Sequence, residues 1–331
     1  MTKMKKILAV GLACVLAGSF AACSKGETNP DTPSGADAAT AAKTGYAVIS
    51  TIEDVKDTTL TIDSVCAAVL VDADGKIIDC KIDEAQTKPD LAVNAGDVED
   101  LRTKLEKQDD YAMRPASPIG KEWFEQAAAF EEFAKGKTAD EITAVVNEEG
   151  YAAEGSDLIA GCTMHIGNIA KAVANAVTSA QDLGASSTDT LKLKVTTEKY
   201  YESNEENLQY DSNYAIVTLD ADGKITSCLI DASQAKCTIA DGKFTVAEGA
   251  FITKKELKDD YNMKGVSEAT GIGKEWYEQA AAFEAFAKGK TAAEITAAAG
   301  EDGYAAAEDL KAGCSIIVSS IVEAVAAAAT V

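Results

Sequence analysis

The chain reads as an α+β protein: two homologous tandem domains, each an antiparallel sheet with helices packed on it. Three observations predict this. Residues 121–143 (KEWFEQAAAFEEFAKGKTADEIT) recur as residues 274–296 (KEWYEQAAAFEAFAKGKTAAEIT), identical at 20 of 23 positions at an offset of 153, which only an internal duplication explains. In each copy two apolar runs flank an Asp-Gly step, a hairpin signature. After each hairpin, apolar residues fall at helical spacing with acids on the other faces. A chain of 331 residues that is 47% apolar can bury a core in each copy. Its aromatic content of 6% implies cores of Ala, Val, Ile and Leu.

The repeat extends beyond the long match. DADGKI at residues 72–77 recurs at 220–225, DDY at 109–111 recurs at 259–261, and DLIAGCT at 157–163 answers DLKAGCS at 309–315. The copies therefore span residues 45–180 and 191–331, with a linker at 181–190, and two beads on a string are the simplest arrangement. Strands are expected at 65–71 and 76–82, and again at 214–219 and 224–230, because Gly75 and Gly223 supply the positive φ that a tight turn demands. Trp123, Ala127, Phe130 and Ala134 then trace one face of a helix, with Glu122, Glu125, Glu131 and Glu132 elsewhere and Gly136 just beyond as its cap. Thr138 with Glu141, and Thr291 with Glu294, fit the capping box that opens a short second helix. A third helix is expected to begin near Cys162, on the stripe Ile166, Ile169, Val173 and Val177.

Charge and the amino terminus narrow the setting. Lys and Arg number 31 against 54 Asp and Glu, a formal charge of −23, and no basic cluster lies outside the first six residues. Such a surface repels phosphodiester backbones, so nucleic acid is not an expected partner. Lys3, Lys5 and Lys6 precede an apolar run from Ile7 to Ala22 that is short for a membrane span, so residues 1–22 read as an export signal. Phe20-Ala21-Ala22-Cys23 resembles the lipobox of bacterial lipoproteins, in which the cysteine is acylated and becomes the first residue. Ordinary cleavage and secretion is the alternative. Residues 23–44 are rich in Ser, Thr, Pro, Gly, Asp and Ala and read as a flexible tether. The expected location is extracytoplasmic, held to the membrane by the lipid alone.

The usual catalytic sets are missing. His165 is the single histidine, and Ile317 takes its place in the second copy, so no Ser-His-Asp or Cys-His device can occur in both. The pairs Asp72/Asp74, Asp109/Asp110 and Asp259/Asp260 lack the ligand ladder of an EF-hand and read as solvated turns. Eight cysteines in an exported chain invite disulfides, with Cys66–Cys80 and Cys228–Cys237 as conceivable pairs, but small buried thiols are the plainer expectation. The most informative stretch is residues 157–163. Gly161 would let the chain turn close to a ligand, and the first amides of a following helix suit a phosphate.

That segment resembles the D-x-x-S-G-A-T signature of the extracytoplasmic FMN-binding domain family. Asp157, Gly161 and Thr163 match in identity and spacing, whereas Ala160 and Cys162 depart from it. The second copy keeps Asp309 and Gly313, with Cys314 beside them, and ends in Ser315. The wider pattern of DGKI, DDY, GKEW and GKT is similar to flavinylated bacterial surface lipoproteins. The resemblance implies FMN joined by a phosphoester to Thr163, with Ser315 as the weaker second position, and Gly161 and Gly313 giving access. It also implies a flavin transferase and a membrane redox donor as partners, and electron carriage instead of an enzyme activity on a substrate of its own. Trp123, Trp276, Tyr111 and Tyr261 would flank the ring or else fill the core. The rival is a binding or structural lipoprotein that keeps the fold without the flavin, with Thr163 as a simple helix cap.

Overall fold

A computed structural model describes residues 39–200, 206–246, 249–269 and 271–330. The export signal, Cys23 and the tether as far as residue 38 lie outside the described residues. The first repeat opens with three strands, β1 (Ala41–Glu53), β2 (Thr61–Val71) and β3 (Ile77–Thr87), followed by helices α1 (Lys104–Lys107), α2 (Trp123–Ala134), α3 (Ala139–Ala144) and α4 (Gly167–Thr178). Strand β4 (Gln181–Ser186) leads into the second repeat, with β5 (Thr190–Lys199), β6 (Asn207–Leu219), β7 (Ile225–Ala240), β8 (Lys243–Thr245) and β9 (Gly249–Phe251). Helices α5 (Lys254–Leu257), α6 (Lys264–Glu268), α7 (Trp276–Ala287), α8 (Ala292–Thr296), α9 (Glu308–Lys311) and α10 (Ser319–Ala328) complete it. The fold is α+β, as the sequence predicts.

Both hairpins form at the expected Asp-Gly steps, with Gly75 at φ 76° and Gly223 at φ 74°. In each turn the aspartate also holds the backbone: Asp72 Oδ1 accepts from the amides of Asp74 and Lys76, and Asp220 Oδ1 from those of Asp222 and Lys224. The capping boxes at Thr138/Glu141 and Thr291/Glu294 are both complete. Trp123, Ala127, Phe130 and Ala134 are buried on α2, and Ile169 and Val173 on α4.

The strands run longer than expected, and β1 and β5 have no forecast at all. The outer halves of β2 and β3 carry buried and half-buried polar residues, some of which bond across strands. Ser64 bonds Ser50 at 2.8 Å and Gln86 donates to Asp63 at 2.9 Å.

The two sheets are antiparallel, ordered β3-β2-β1-β4, with β9 also on β1, and β5-β6-β7-β8. The central strands are apolar on both faces. On β2, Val65, Ala67, Val69 and Val71 face the helices, while Cys66, Ala68 and Leu70 face the other sheet. On β6, Ala215, Val217 and Leu219 face helices, and Tyr214 and Ile216 face the first sheet. A strand with two apolar faces must be covered twice. The result is helices, sheet, sheet, helices, with a shared apolar layer between the repeats.

The two repeats therefore pack together instead of hanging as separate beads. The described residues from 39 to 330 form one compact unit. The expected linker at 181–190 is mostly strand, because β4 pairs with β1, and the expected tether ends earlier, because β1 begins at Ala41. Polar bonds also cross between the repeats. Thr44 meets Ser227 at 2.8 Å, and Tyr46 donates to Asp231 Oδ2 at 2.7 Å.

Six cysteines are described, and all are free and buried. Cys66 faces the other sheet and Cys80 faces the helices, so the conceivable bond across that hairpin is geometrically excluded. Cys228 and Cys237 lie along one strand and sit in separate apolar clusters.

Several acids are buried as well. Burial pushes Asp83 up to about 6 and Glu131 up to about 7, and it raises Asp231 and Glu284. A carboxyl raised in the folded state keeps its proton at a pH where the unfolded chain has released it. Its contribution is therefore present in mild acid and is lost as pH climbs through the raised value. The melting midpoint should accordingly be about 3 °C or more higher at pH 5.5 than at pH 8. Glu131→Gln, which can still accept the Ile82 amide, should shrink that difference. A midpoint that rises toward pH 8 would contradict this.

Candidate functional site

Residues 157–163 do not sit at the start of a long helix. Asp157–Ala160 form a single 3-10 turn capped by Ser156, whose Oγ accepts from the Leu158 amide at 3.2 Å. Helix α4 starts only at Gly167, so Thr163 is not its cap. The turn is pinned by Gln126, which is wholly buried on α2. Gln126 Oε1 accepts from the amides of Thr163 at 2.7 Å and Met164 at 3.0 Å, while its Nε2 donates to Ser117 Oγ and to the Lys121 carbonyl, each at 3.1 Å. The second repeat copies this device: Gln279 Oε1 accepts from the Ser315 amide at 2.7 Å, and Nε2 donates to the Lys274 carbonyl at 3.1 Å.

Three expectations change with this geometry. The amides of Thr163, Met164 and Ser315, expected to cradle a phosphate, already donate to a glutamine. Gly161 has φ −115°, which any residue adopts, so it is needed for space. A Cβ there would meet Ala129 Cβ at 2.7 Å, and one on Gly313 would meet Ala282 Cβ at 2.7 Å. Both glycines seat the turn against a helix. Cys162 and Cys314 are buried thiols that burial pushes up to about 11, which keeps them protonated and inert. The hydroxyls of Thr163 and Ser315 are half-buried, at 3.4 and 3.3 Å from the same glutamine oxygens. Asp157 and Asp309 lie in the turn's first residues. His165 is exposed and stands edge-on to Tyr151, 5.4 Å between ring centres.

The two repeats diverge beside this motif. A cavity of about 540 Å³ opens in the second repeat, within the range of roughly 300–1,000 Å³ typical of small-molecule sites. Ser315, Tyr261, Trp276 and Lys254 line it together. Its rim carries Tyr200, Val266, Tyr304 and Ile317, all exposed large apolar side chains, with Val266 at 66% and Ile317 at 59%. Exposed apolar surface gathered at one opening marks a binding site more than scattered residues do.

With Glu198, Lys199 and Asp211, Lys254 is one of the charged groups that line the cavity. Its Nζ lies 5.2 Å from the Tyr261 ring centre and 5.5 Å from that of Trp276, a cation–π arrangement. Burial lowers its pKa, against the pull of Asp211, Asp231 and Glu198. The equivalent Lys104 lies over Tyr111 and Trp123 at 5.1 and 6.0 Å, but its Nζ is also bonded to Glu84 at 2.6 Å, with both side chains about one-tenth exposed. Strand register explains the difference: Glu84 pairs opposite Val65, and the matching position opposite Asn213 is Ala232. The first repeat therefore neutralises its lysine internally, and the second does not. Sequence reading named Tyr261, Trp276 and Ser315 but missed Lys254, Ala232 and Gln279. The signal was available in the alignment of the repeats, where Glu84 faces an alanine.

No family model matches the chain, and no solved structure matches it. Over 90 residues it is 33% identical to a chlorophenol reductase of Desulfitobacterium hafniense, a likeness covering 23% of this chain and 28% of that protein. The chain thus spans little more than a quarter of that relative's length. Among the described residues, no helix is long and apolar enough to cross a membrane.

The unequal lysines give a direct test. At pH 8, Lys104→Met strands a buried carboxylate and should cost about 3–5 kcal/mol in urea unfolding. Lys254→Met breaks no ion pair and should cost under about 1 kcal/mol. Equal costs would contradict the asymmetry.

Proposed function

We propose that the mature chain is an exported, lipid-anchored carrier of the FMN-binding type that holds its flavin in the cavity of the second repeat and relays electrons at the cell surface. The observation that carries this reading is the meeting of Trp276, Tyr261, Lys254 and Ser315 around one opening of suitable size. Trp276 and Tyr261 would wall the planar ring, Lys254 would face its electron-rich groups, and Ser315 would offer the hydroxyl for attachment. FMN held there would supply one- or two-electron chemistry, while the protein supplies placement and electrostatic tuning. Residue for residue, the sequence signature favours Thr163; the cavity favours Ser315. The partial likeness to a protein named as a reductase agrees with a redox role over that segment. The proposed partners are a flavin transferase and a membrane donor, with Cys23 as the lipidated residue.

A second reading, a surface ligand-binding lipoprotein without flavin, is favoured by one observation. The backbone amides of Thr163 and Ser315 are already bonded to Gln126 and Gln279, which takes those two donors away from a phosphate.

Two experiments test the proposal. Mature protein made alongside a flavin transferase should carry one flavin per chain by intact mass. Thr163→Ala should keep it and Ser315→Ala should lose the covalent adduct; a colourless protein that takes up no free FMN would overturn the flavin assignment. In the native host, Cys23→Ser should release the protein into the medium, and unchanged membrane retention would contradict the lipid anchor.

A further inference from the structure

The lysine of the duplicated site is ion-paired in the first repeat and not in the second, and one strand position, Glu84 against Ala232, separates the two copies there. In the first repeat the lysine between two aromatic rings is bonded to Glu84. In the second, Ala232 stands where that carboxylate would be, and among the described residues Lys254 forms no ion pair within 4 Å. We propose that the second repeat's cavity is a one-per-chain site for a planar aromatic anion, with Lys254 as the group that selects the negative charge and Ala232 as the residue that leaves it free to do so. The inference takes the cavity as the ligand site, as above, but does not require the ligand to be a flavin.

The other charged groups of the cavity support this assignment. Asp211 accepts from the side-chain amides of Gln209 at 2.7 Å and Gln234 at 2.9 Å. Glu198 accepts from Ser320 Oγ at 2.8 Å and from Asn213 Nδ2 at 3.4 Å. Lys199 pairs with Asp97 at 3.3 Å. These groups are held by the wall, whereas the Lys254 ammonium is held by ring faces, which leave its N–H donors to a ligand oxygen. Asp211, Asp231 and Glu198 act at longer range and oppose the burial that lowers the lysine's pKa. Met263, Ile316 and Ile321 add apolar lining for the ring. Selection by charge then follows from one charge-assisted hydrogen bond made away from bulk water.

The test uses the mature chain with Cys23→Ser, titrated calorimetrically with naphthalene-2-sulfonate and with its neutral match, naphthalene-2-sulfonamide. The sulfonate should bind at one site per chain and about tenfold more tightly than the sulfonamide, the worth of one charge-assisted hydrogen bond. Lys254→Met should bring that ratio to about one with the sulfonamide affinity little changed, and Lys254→Arg should keep the preference. Ala232→Glu should remove the preference as well; if that variant fails to fold, the two Lys254 variants decide alone. Two sites per chain, no preference, a preference that survives Lys254→Met, or no binding of either compound would each overturn the inference. FMN titrated in parallel separates the two proposals. Sulfonate selection without FMN uptake ends the flavin reading alone, and FMN uptake with a preference indifferent to Lys254 ends this one alone.

Discussion

Burial of the central strands on both faces is the constraint from which the rest of the molecule follows. β2 and β6 have alternate residues pointing into helices and into the opposite sheet, and both sets are apolar. Helices can cover only one face of a sheet here, since the chain supplies them after each hairpin and on the same side. The uncovered faces therefore bury each other, and a duplicated domain becomes one compact unit. β4 and β9 strengthen this by pairing with β1, which places backbone hydrogen bonds as well as apolar contacts between segments far apart in sequence.

Duplication also explains the form of the candidate site. Each repeat builds the same frame: a buried glutamine on the first long helix grips the turn that carries the hydroxyl, and a lysine lies between a Tyr and a Trp. The frame is built from contacts within each repeat. Function would be set by what surrounds it. A glutamate on the neighbouring strand ties up Lys104, and an alanine leaves Lys254 facing a cavity. Two copies of one fold can thus diverge into a supporting half and a receiving half through the side chains around a shared frame.

Much of the fold was legible in the sequence because it rests on local signals. The Asp-Gly turns, the capping boxes and the stripe from Trp123 to Ala134 need only neighbours within a few residues, and all are present. What could not be read depends on partners distant in the chain. β1 and β5 carry mixed polar and apolar residues whose burial is decided by the opposite sheet. The outer halves of β2 and β3 look like loops because Ser64, Asp83, Glu84 and Thr87 are polar, yet they are buried; Ser64 bonds Ser50 across strands, and Asp83 and Glu84 are held by the start of α1. At the site, Thr163 and Ser315 were visible as a motif. Their environment was not, because Gln126 lies 37 residues from Thr163 and nothing local to the motif reveals that its amides are occupied. The close approach of Gly161 and Gly313 to Ala129 and Ala282 was likewise hidden from the sequence.

The central claim is that an aromatic ligand, FMN foremost, rests against Trp276 in the second repeat. The chain has two tryptophans, one in each copy of the site, so their emission can be separated. In a Trp123→Phe protein, whose remaining indole is Trp276, added FMN should quench most of the tryptophan fluorescence in a saturable manner. In the reciprocal Trp276→Phe protein, the Trp123 emission should stay nearly constant under the same additions. Saturable quenching confined to Trp123, or none in either protein, would contradict the account.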